Sequence, residues 1–538
     1  MESSFEARVE LAARALEAHS WEEALQEWRA ADAAGPLDAD QLEALATAAF
    51  WAGHIDDCLA AWERAYAGHL DHGDRRRAAG AALRIATRHG QRSNPALAGG
   101  WRATAARLLE GEADCPERAR LLYQEAYGFI LAGDPLRARE RAVQAFEVAG
   151  RCGARDVQVI ALNIEGQALV RAGELDRGLV LVDESMAQAR SARLDLYDLG
   201  LIQCWTIGLC RDIADFERAR DLTEATSAWA EARAAASFPG ICRIHRAELH
   251  RLHGDLVKAE REVRSAIEEL LPRTLFWAAR AFAELGLVKL RQRALDEADA
   301  AFDRAQEVGL EPEPGRSLVL LARGHTEAAR DALRRALERR PADLLDRSAL
   351  LGAFVEAAVA CGDLAEAEPA VDELDGIAGK VGRAAFQAVA SEARGSLLLA
   401  RREPARAVLW LRGALQIWSR INAAYETART RLLLAAALRQ DGDQIAARIE
   451  MEVAERDLAR MGAKRRPERR DPLEGLTRRQ REVARLVSEG RSNREVAAAL
   501  FVSERTAEYH VQQILNRLGF DSRSQIAAWY AGRSVRPA

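Results

Sequence analysis

A chain of 538 residues is too long for one hydrophobic core, so two or more domains are expected. Apolar residues at 49% and charged residues at 30% exclude the disordered and fibrous regimes. The opening MESSFEARVELAARAL carries acids where a secretory leader carries bases, and no apolar run approaches the ~18 residues of a membrane span. Neither secretion nor membrane insertion is therefore expected. The seven cysteines, at 58, 115, 152, 204, 210, 242 and 361, include no C-x-x-C pair. That spacing speaks against a disulfide framework or a zinc knuckle and fits a reducing cytoplasm.

Charge is unevenly placed. From Lys464 to the end there are 16 basic and 9 acidic side chains, a net of +7, whereas the preceding 463 residues hold 61 basic and 73 acidic ones, a net of −12. A small basic tail on a large acidic body points to a polyanion as the partner of the tail alone. The competing reading is a basic end that only aids solubility.

Through the first 460 residues a turn residue recurs, followed two positions on by a mostly apolar residue and five on by a small one. The turn residues are His19, Gly53, Gly133, Gly173, Ala214, Gly254, Arg293, Gly324, Gly362, Arg402 and Gly442. The small ones are Ala24, Cys58, Ala138, Gly178, Ala219, Ala259, Ala298, Ala329, Ala367, Ala407 and Ala447. Most intervals are close to 40 residues, and the one of 80 before Gly133 hides a weak copy near Gly90 to Pro95. A glycine at such a turn suits a helix end that needs positive φ, and the small residue lets the next helix pack closely. Helix pairs of this kind cannot bury their apolar faces alone and must stack.

Strand signals are nearly absent, so the chain is expected to be all-α. The pattern resembles tetratricopeptide-like repeats, with a longer period than the usual ~34. Glu311-Pro312-Glu313-Pro314-Gly315, ahead of the short interval to Gly324, predicts a break or bend. Residues 1–460 are thus read as a solenoid whose concave surface takes a partner protein or a small effector. Tryptophans such as Trp51, Trp62, Trp205 and Trp277 fall at helical spacing and read as core rather than a ligand cage.

Residues 461–475, MGAKRRPERRDPLEG, read as a basic linker. Beyond it, Thr477 with Gln480 and Ser492 with Glu495 have the spacing of capping boxes. They predict helices over 478–489 and 493–500; Ser503 caps a third helix to about Leu518, and a fourth runs over 523–531. Two short helices joined by a tight turn form a helix-turn-helix, whose second helix enters the DNA major groove. Val483, Leu486, Val487, Val496, Ala497, Leu500, Val502, Val511, Ile514 and Leu518 supply a small core. Arg505, Glu508, Tyr509 and Gln512 are left on the outer face.

These residues carry a specific resemblance. The stretch LTRRQREVARLVSEGRSNREVAAALFVSERTAEYHVQQILNRLGFDSRSQIAAW resembles the C-terminal LuxR-type helix-turn-helix of bacterial transcription regulators. Matching positions include Leu476-Thr477, Arg479, Glu482-Val483, Gly490, Ser492-Asn493, Glu495, Ala497, Leu500, Val502-Ser503, Thr506, His510, Ile514, Leu518 and Ser522-Arg523. Gln480, Ala507 and Arg517 depart from the usual Glu, Val and Lys. The resemblance implies a four-helix domain over 476–538, with Glu508, Tyr509 and Gln512 facing bases. Gln pairs with adenine and Glu accepts from cytosine. Arg494, Arg505, Thr506, Gln513 and Arg517 would hold phosphates, which fixes register without reading sequence. His510 has two readings, a phosphate donor or a satisfied structural histidine, the second preferred. The fourth helix resembles the family's dimerisation helix, implying a homodimer on double-stranded DNA.

The solenoid resembles, more loosely, the repeat region of MalT-like regulators, which carry an ATP-binding module. Gly379-Lys380 fails the phosphate-loop pattern, with Leu374 at the first glycine and Val381 at the Ser/Thr position. No hydrolase or zincin motif occurs, and His245, His250 and His253 do not share one helix face. Cys204 and Cys210 read as buried small hydrophobes. No cofactor, metal or catalysis is therefore expected. The leading reading is a cytoplasmic DNA-binding transcription regulator with an effector-responsive solenoid. The alternative is an α-solenoid interaction scaffold whose helix-turn-helix no longer reads DNA.

Overall fold

At each of the eleven repeat turns the backbone is left-handed, with φ between 58° at His19 and 98° at Gly442. The computed structural model describes residues 5–189, 194–235, 238–463, 478–500, 502–518 and 522–534. Every regular element among them is an α-helix. Each turn closes one helix in the same way, as Gly53 shows: its N–H reaches Phe50 O at 3.1 Å while His54 N–H reaches Ala49 O at 2.8 Å. Four of the eleven positions are not glycine (His19, Ala214, Arg293 and Arg402), yet their φ values are 58–61°. Backbone geometry is therefore more constant than residue type. The copy hidden in the long interval is Ser93, with φ 54°, Pro95 opening the next helix and Ala98 only 2% exposed.

The first compact unit spans 1–464 and the second 465–538. Helices of the first unit begin α1 (Phe5–Glu17), α2 (Trp21–Ala34), α3 (Ala39–Ala52), α4 (Ile55–Asp71), α5 (Arg75–Gln91), α6 (Pro95–Leu108), α7 (Pro116–Leu131) and α8 (Pro135–Cys152). They continue α9 (Arg155–Arg171), α10 (Leu175–Ala189), α11 (Leu196–Asp212), α12 (Phe216–Glu231), α13 (Phe238–Leu252), α14 (Leu256–Leu270), α15 (Leu275–Arg291) and α16 (Leu295–Glu307). The last are α17 (Gly315–Arg323), α18 (Thr326–Glu338), α19 (Leu344–Cys361), α20 (Leu364–Val381), α21 (Ala384–Ala400), α22 (Pro404–Arg420), α23 (Ala424–Asp441) and α24 (Gln444–Arg460). Each of the repeat turns, Ser93 included, joins an odd helix to the even one after it.

The small residue five positions past each turn is buried at the contact within its pair. At Gly178 there is no room for a side chain at all: an added Cβ would lie 2.5 Å from the Gly166 carbonyl oxygen of α9. The short interval before Gly324 arises because α17 has only nine residues. The Phe302 ring of α16 packs over Gly315, at the start of that shortened helix.

Neighbour-only stacking, as read from the sequence, is not the whole architecture. The chain returns onto itself, making contacts between residues 111 to 212 positions apart. Trp21 Nε1 donates to Arg233 O at 3.2 Å, Thr274 Oγ1 to Gln91 O at 3.4 Å, and Arg171 Nη1 to Asp343 Oδ2 at 2.9 Å. One hydrophobic cluster accordingly joins residues 12–85 to residues 204–301. Charge is carried into this interior as pairs, since an unpaired buried ion is costly. Arg171 bridges Asp212 and Asp343, each at 2.9 Å, and Arg429 pairs with buried Glu392.

Turn glycines make part of that return possible. A Cβ on Gly173 would sit 2.9 Å from Leu344 Cδ1, and one on Gly254 2.7 Å from Met461 Sδ and 3.0 Å from Ala424 Cβ. Around Gly442, by contrast, no atom of the described residues beyond its own helix and chain neighbours lies within 4 Å of that position. Both Gly254→Ala and Gly442→Ala incur the left-handed backbone penalty, about 1–2 kcal/mol. Only Gly254→Ala adds the collision, a further ~1–3 kcal/mol. Chemical denaturation followed by circular dichroism is expected to show the larger midpoint loss for Gly254→Ala; equal losses would contradict this account.

Candidate nucleic-acid interface

Four helices make up the described part of the second unit: α25 (Arg478–Ser488), α26 (Asn493–Leu500), α27 (Glu504–Leu518) and α28 (Arg523–Ser534). Val483, Leu486 and Val487 of α25 meet Val496 and Ala497 of α26 and Val511 and Ile514 of α27 in one core. Ala507 and Ile526, both 0% exposed, complete it together with Ala484. Ala507, smaller than the usual Val, is thus a fully packed position. The side chain of Leu518, an expected core member, lies outside the described residues.

The helix starts explain the geometry. Ser492 Oγ accepts from Glu495 N–H at 3.3 Å, and Glu495 Oε2 accepts from Ser492 N–H at 2.7 Å, closing a reciprocal box at α26. The same Ser492 N–H holds the Glu495 carboxyl below its ordinary pKa. Ser503 Oγ accepts from Thr506 N–H at 3.1 Å and starts α27. Thr477, expected to cap α25, lies outside the described residues.

Two arginines fasten the frame. Arg479 donates to the Leu500 carbonyl and, at 3.0 Å, to Glu482, tying the start of α25 to the end of α26. Arg523 donates to Asn493 Oδ1 and the Arg491 carbonyl, tying α28 to the start of α26. Both satisfy carbonyls or polar groups at helix ends. Sequence reasoning matched these arginines to the motif without a role; a partner 21 or 32 positions away leaves no local pattern.

With one face of α27 packed through Ala507, Val511 and Ile514, the opposite face carries Arg505, Glu508, Tyr509 and Gln512, all exposed. Tyr509 is 60% exposed, unusual for a large ring with an apolar body. Arg494 on α26 and Arg505 on α27 are exposed and have no ion-pair partner among the described residues. Thr506 and Gln513 are half-buried, and the Thr506 hydroxyl is engaged by Ser503 Oγ at 2.7 Å. The Arg517 side chain lies outside the described residues. His510 is half-buried with Nδ1 enclosed and unbonded among the described residues, so the expected satisfied histidine is met only in its packing.

Elsewhere, Gly379-Lys380 lies inside α20, whose helical backbone forms no phosphate loop. His245 is buried on α13 with Nδ1 3.1 Å from Glu248. Cys204 and Cys210 are buried free thiols. Asp40, Glu43 and His69 place one ligand atom each within 4.8 Å of one another, and Arg77 forms ion pairs with both carboxylates. No described helix is long and apolar enough to cross a membrane.

Residues 474–530 match the family described as bacterial regulatory proteins, luxR family. A Mycobacterium tuberculosis protein named as an HTH-type transcriptional regulator is 28% identical over 76% of this chain and 43% of its own length. The DNA-binding transcriptional activator DevR/DosR of the same organism is 39% identical over 12% of this chain and 29% of its own. The chain spans less than half the length of either relative. A tetratricopeptide repeat protein of known structure from Parabacteroides merdae aligns with 60% of this chain and 98% of its own at 16% identity. Its TM-score of 0.28 leaves the repeat assignment resting on the chain's own turns. With its packed core, its capped second and third helices and its matched sequence, the second unit carries a LuxR-type helix-turn-helix domain, the DNA-binding module of bacterial transcription regulators.

Proposed function

We propose that the chain is a sequence-specific DNA-binding transcription regulator, with the 1–460 repeats as an effector- or partner-responsive body and 476–538 as the DNA-binding domain. The observation that carries this reading is the division of α27 into a packed face and an exposed face of Arg505, Glu508, Tyr509 and Gln512. Laid in a major groove, that face brings Gln512 to an adenine edge, Glu508 to a cytosine amine and the Tyr509 ring to the groove floor. Arg494 and Arg505, exposed at the starts of α26 and α27 and without a carboxylate partner among the described residues, are suited to the flanking phosphates. Thr506 and Gln513 border the same face, and Arg517 follows one turn on. Trp529 and Tyr530 of α28 remain partly exposed beside the core, which supports pairing of two copies on an inverted repeat about one helical turn apart.

A fragment of residues 465–538, itself a compact unit, is expected to bind duplex DNA with affinity falling steeply as salt rises. Binding that ignores salt, or no binding, would sink the proposal. Gln512→Ala is expected to relax one base position in a binding-site selection, at about 1–3 kcal/mol against the original site. Arg505→Ala should weaken all sequences alike and lower the logarithmic salt slope by about 1. A selected motif unchanged by Gln512→Ala would show that α27 is turned the wrong way.

A further inference from the structure

A cavity of about 400 Å³ opens in the first unit where α3, α4, α5 and α7 meet the start of α11. Phe50, Trp51, Trp62 and Tyr197 give it aromatic walls. Its charges are mostly settled: Arg77 pairs with Glu43, Arg84 with Asp195 at 2.9 Å, and Arg120 with Asp156 and Asp198 at 3.0 Å each. Arg88 is the exception. It lines the cavity at 4% exposure and makes no ion pair among the described residues, and its Nε is enclosed without a hydrogen-bond partner. Nη1 donates to a neutral group, Gln91 Oε1, at 2.9 Å. The neighbouring Cys58 thiol does not neutralise it, because burial pushes that pKa up despite the pull of Arg88. Glu117 also lines the cavity and forms no ion pair with Arg88.

A guanidinium stays charged under all ordinary conditions, and its fork of donors matches a carboxylate or phosphate. Stacking of Arg88 over Phe50 at 3.5 Å and Tyr197 at 4.8 Å offsets part of its desolvation, yet the ring faces do not accept from its in-plane N–H groups, and Nε stays unmatched. The volume suits a small molecule and the walls suit a flat one. We propose that this cavity binds a small organic anion with an aromatic body, its carboxylate or phosphate on the Arg88 guanidinium and its ring among Trp51, Trp62 and Tyr197. This rests on the reading of the first unit as the effector-responsive body and identifies the class of effector.

The test uses the full chain without DNA, so it stands apart from the DNA-binding reading. Probes are 2-naphthoate, indole-3-acetate and phenyl phosphate, each against a neutral counterpart such as 2-naphthamide. Binding is read by tryptophan fluorescence and by the thermal transition of the first unit. At least one acid is expected to quench fluorescence, raise the transition and bind tenfold or more tighter than its neutral counterpart; preference between naphthoate and phenyl phosphate separates carboxylate from phosphate ligands. Arg88→Met, close in volume and neutral, should melt at or above the parent protein and no longer distinguish acid from amide. Equal binding of acid and amide, no binding by any acid, or an Arg88→Met variant that folds and retains the preference would each overturn the proposal. Where that variant does not fold, the acid-against-amide comparison on the parent chain decides alone.

Discussion

The first unit depends on one backbone constraint: about every 40 residues a helix must end in a left-handed residue, and the next helix must begin by presenting something small. The left-handed residue closes the carbonyls of the outgoing helix, as Gly53 does, and sets the angle at which the chain turns back. The small residue then lets the two helices close to the distance seen at Gly166 and Gly178. Repeated twelve times, that one angle generates a superhelix tight enough to meet its own later turns. Where it does so at Gly173 and Gly254, the absent Cβ that permits positive φ also provides the space for Leu344 and Met461. Local conformation and long-range packing thus draw on the same atoms.

A superhelix that closes on itself has to put polar groups in its interior, and the interior side chains follow from that. Arg171, Arg251 and Arg291 carry charge inward and meet carboxylates there, and Arg429 reaches the buried Glu392 from a partly exposed position. Such pairs add less stability than their geometry suggests, because desolvation offsets attraction, but a missing partner is expensive. Arg88 departs from this rule in a wall of the cavity, and that departure is what marks the cavity as a binding site.

The sequence made the repeat turns legible because helix ends are local events: eleven were found by spacing. The twelfth turn, Ser93, lies inside the weak copy read between Gly90 and Pro95, and its φ of 54° matches the other turns. The helices of the second unit were equally readable, α26 to the residue and α28 short by three, since capping serines act over three or four positions. Contacts across 111 to 212 residues leave no periodic trace, so the self-contact of the superhelix was invisible, and with it the cavity. Trp51 and Trp62 were correctly read as buried, yet both also wall that cavity. The packing of Ile526 from α28 and the arginine ties from Arg479 and Arg523 were hidden for the same reason.

The account's central claim concerns the second unit: the exposed face of α27, and not the exposed face of α28, lies against base edges. A photocrosslinking amino acid placed at position 509, compared with one at the exposed Ala528, tests this most directly on a duplex selected by the protein. The account requires position 509 to crosslink to bases within the major groove while position 528 leaves the DNA unmarked. Crosslinks from 528 to DNA with none from 509 would contradict it.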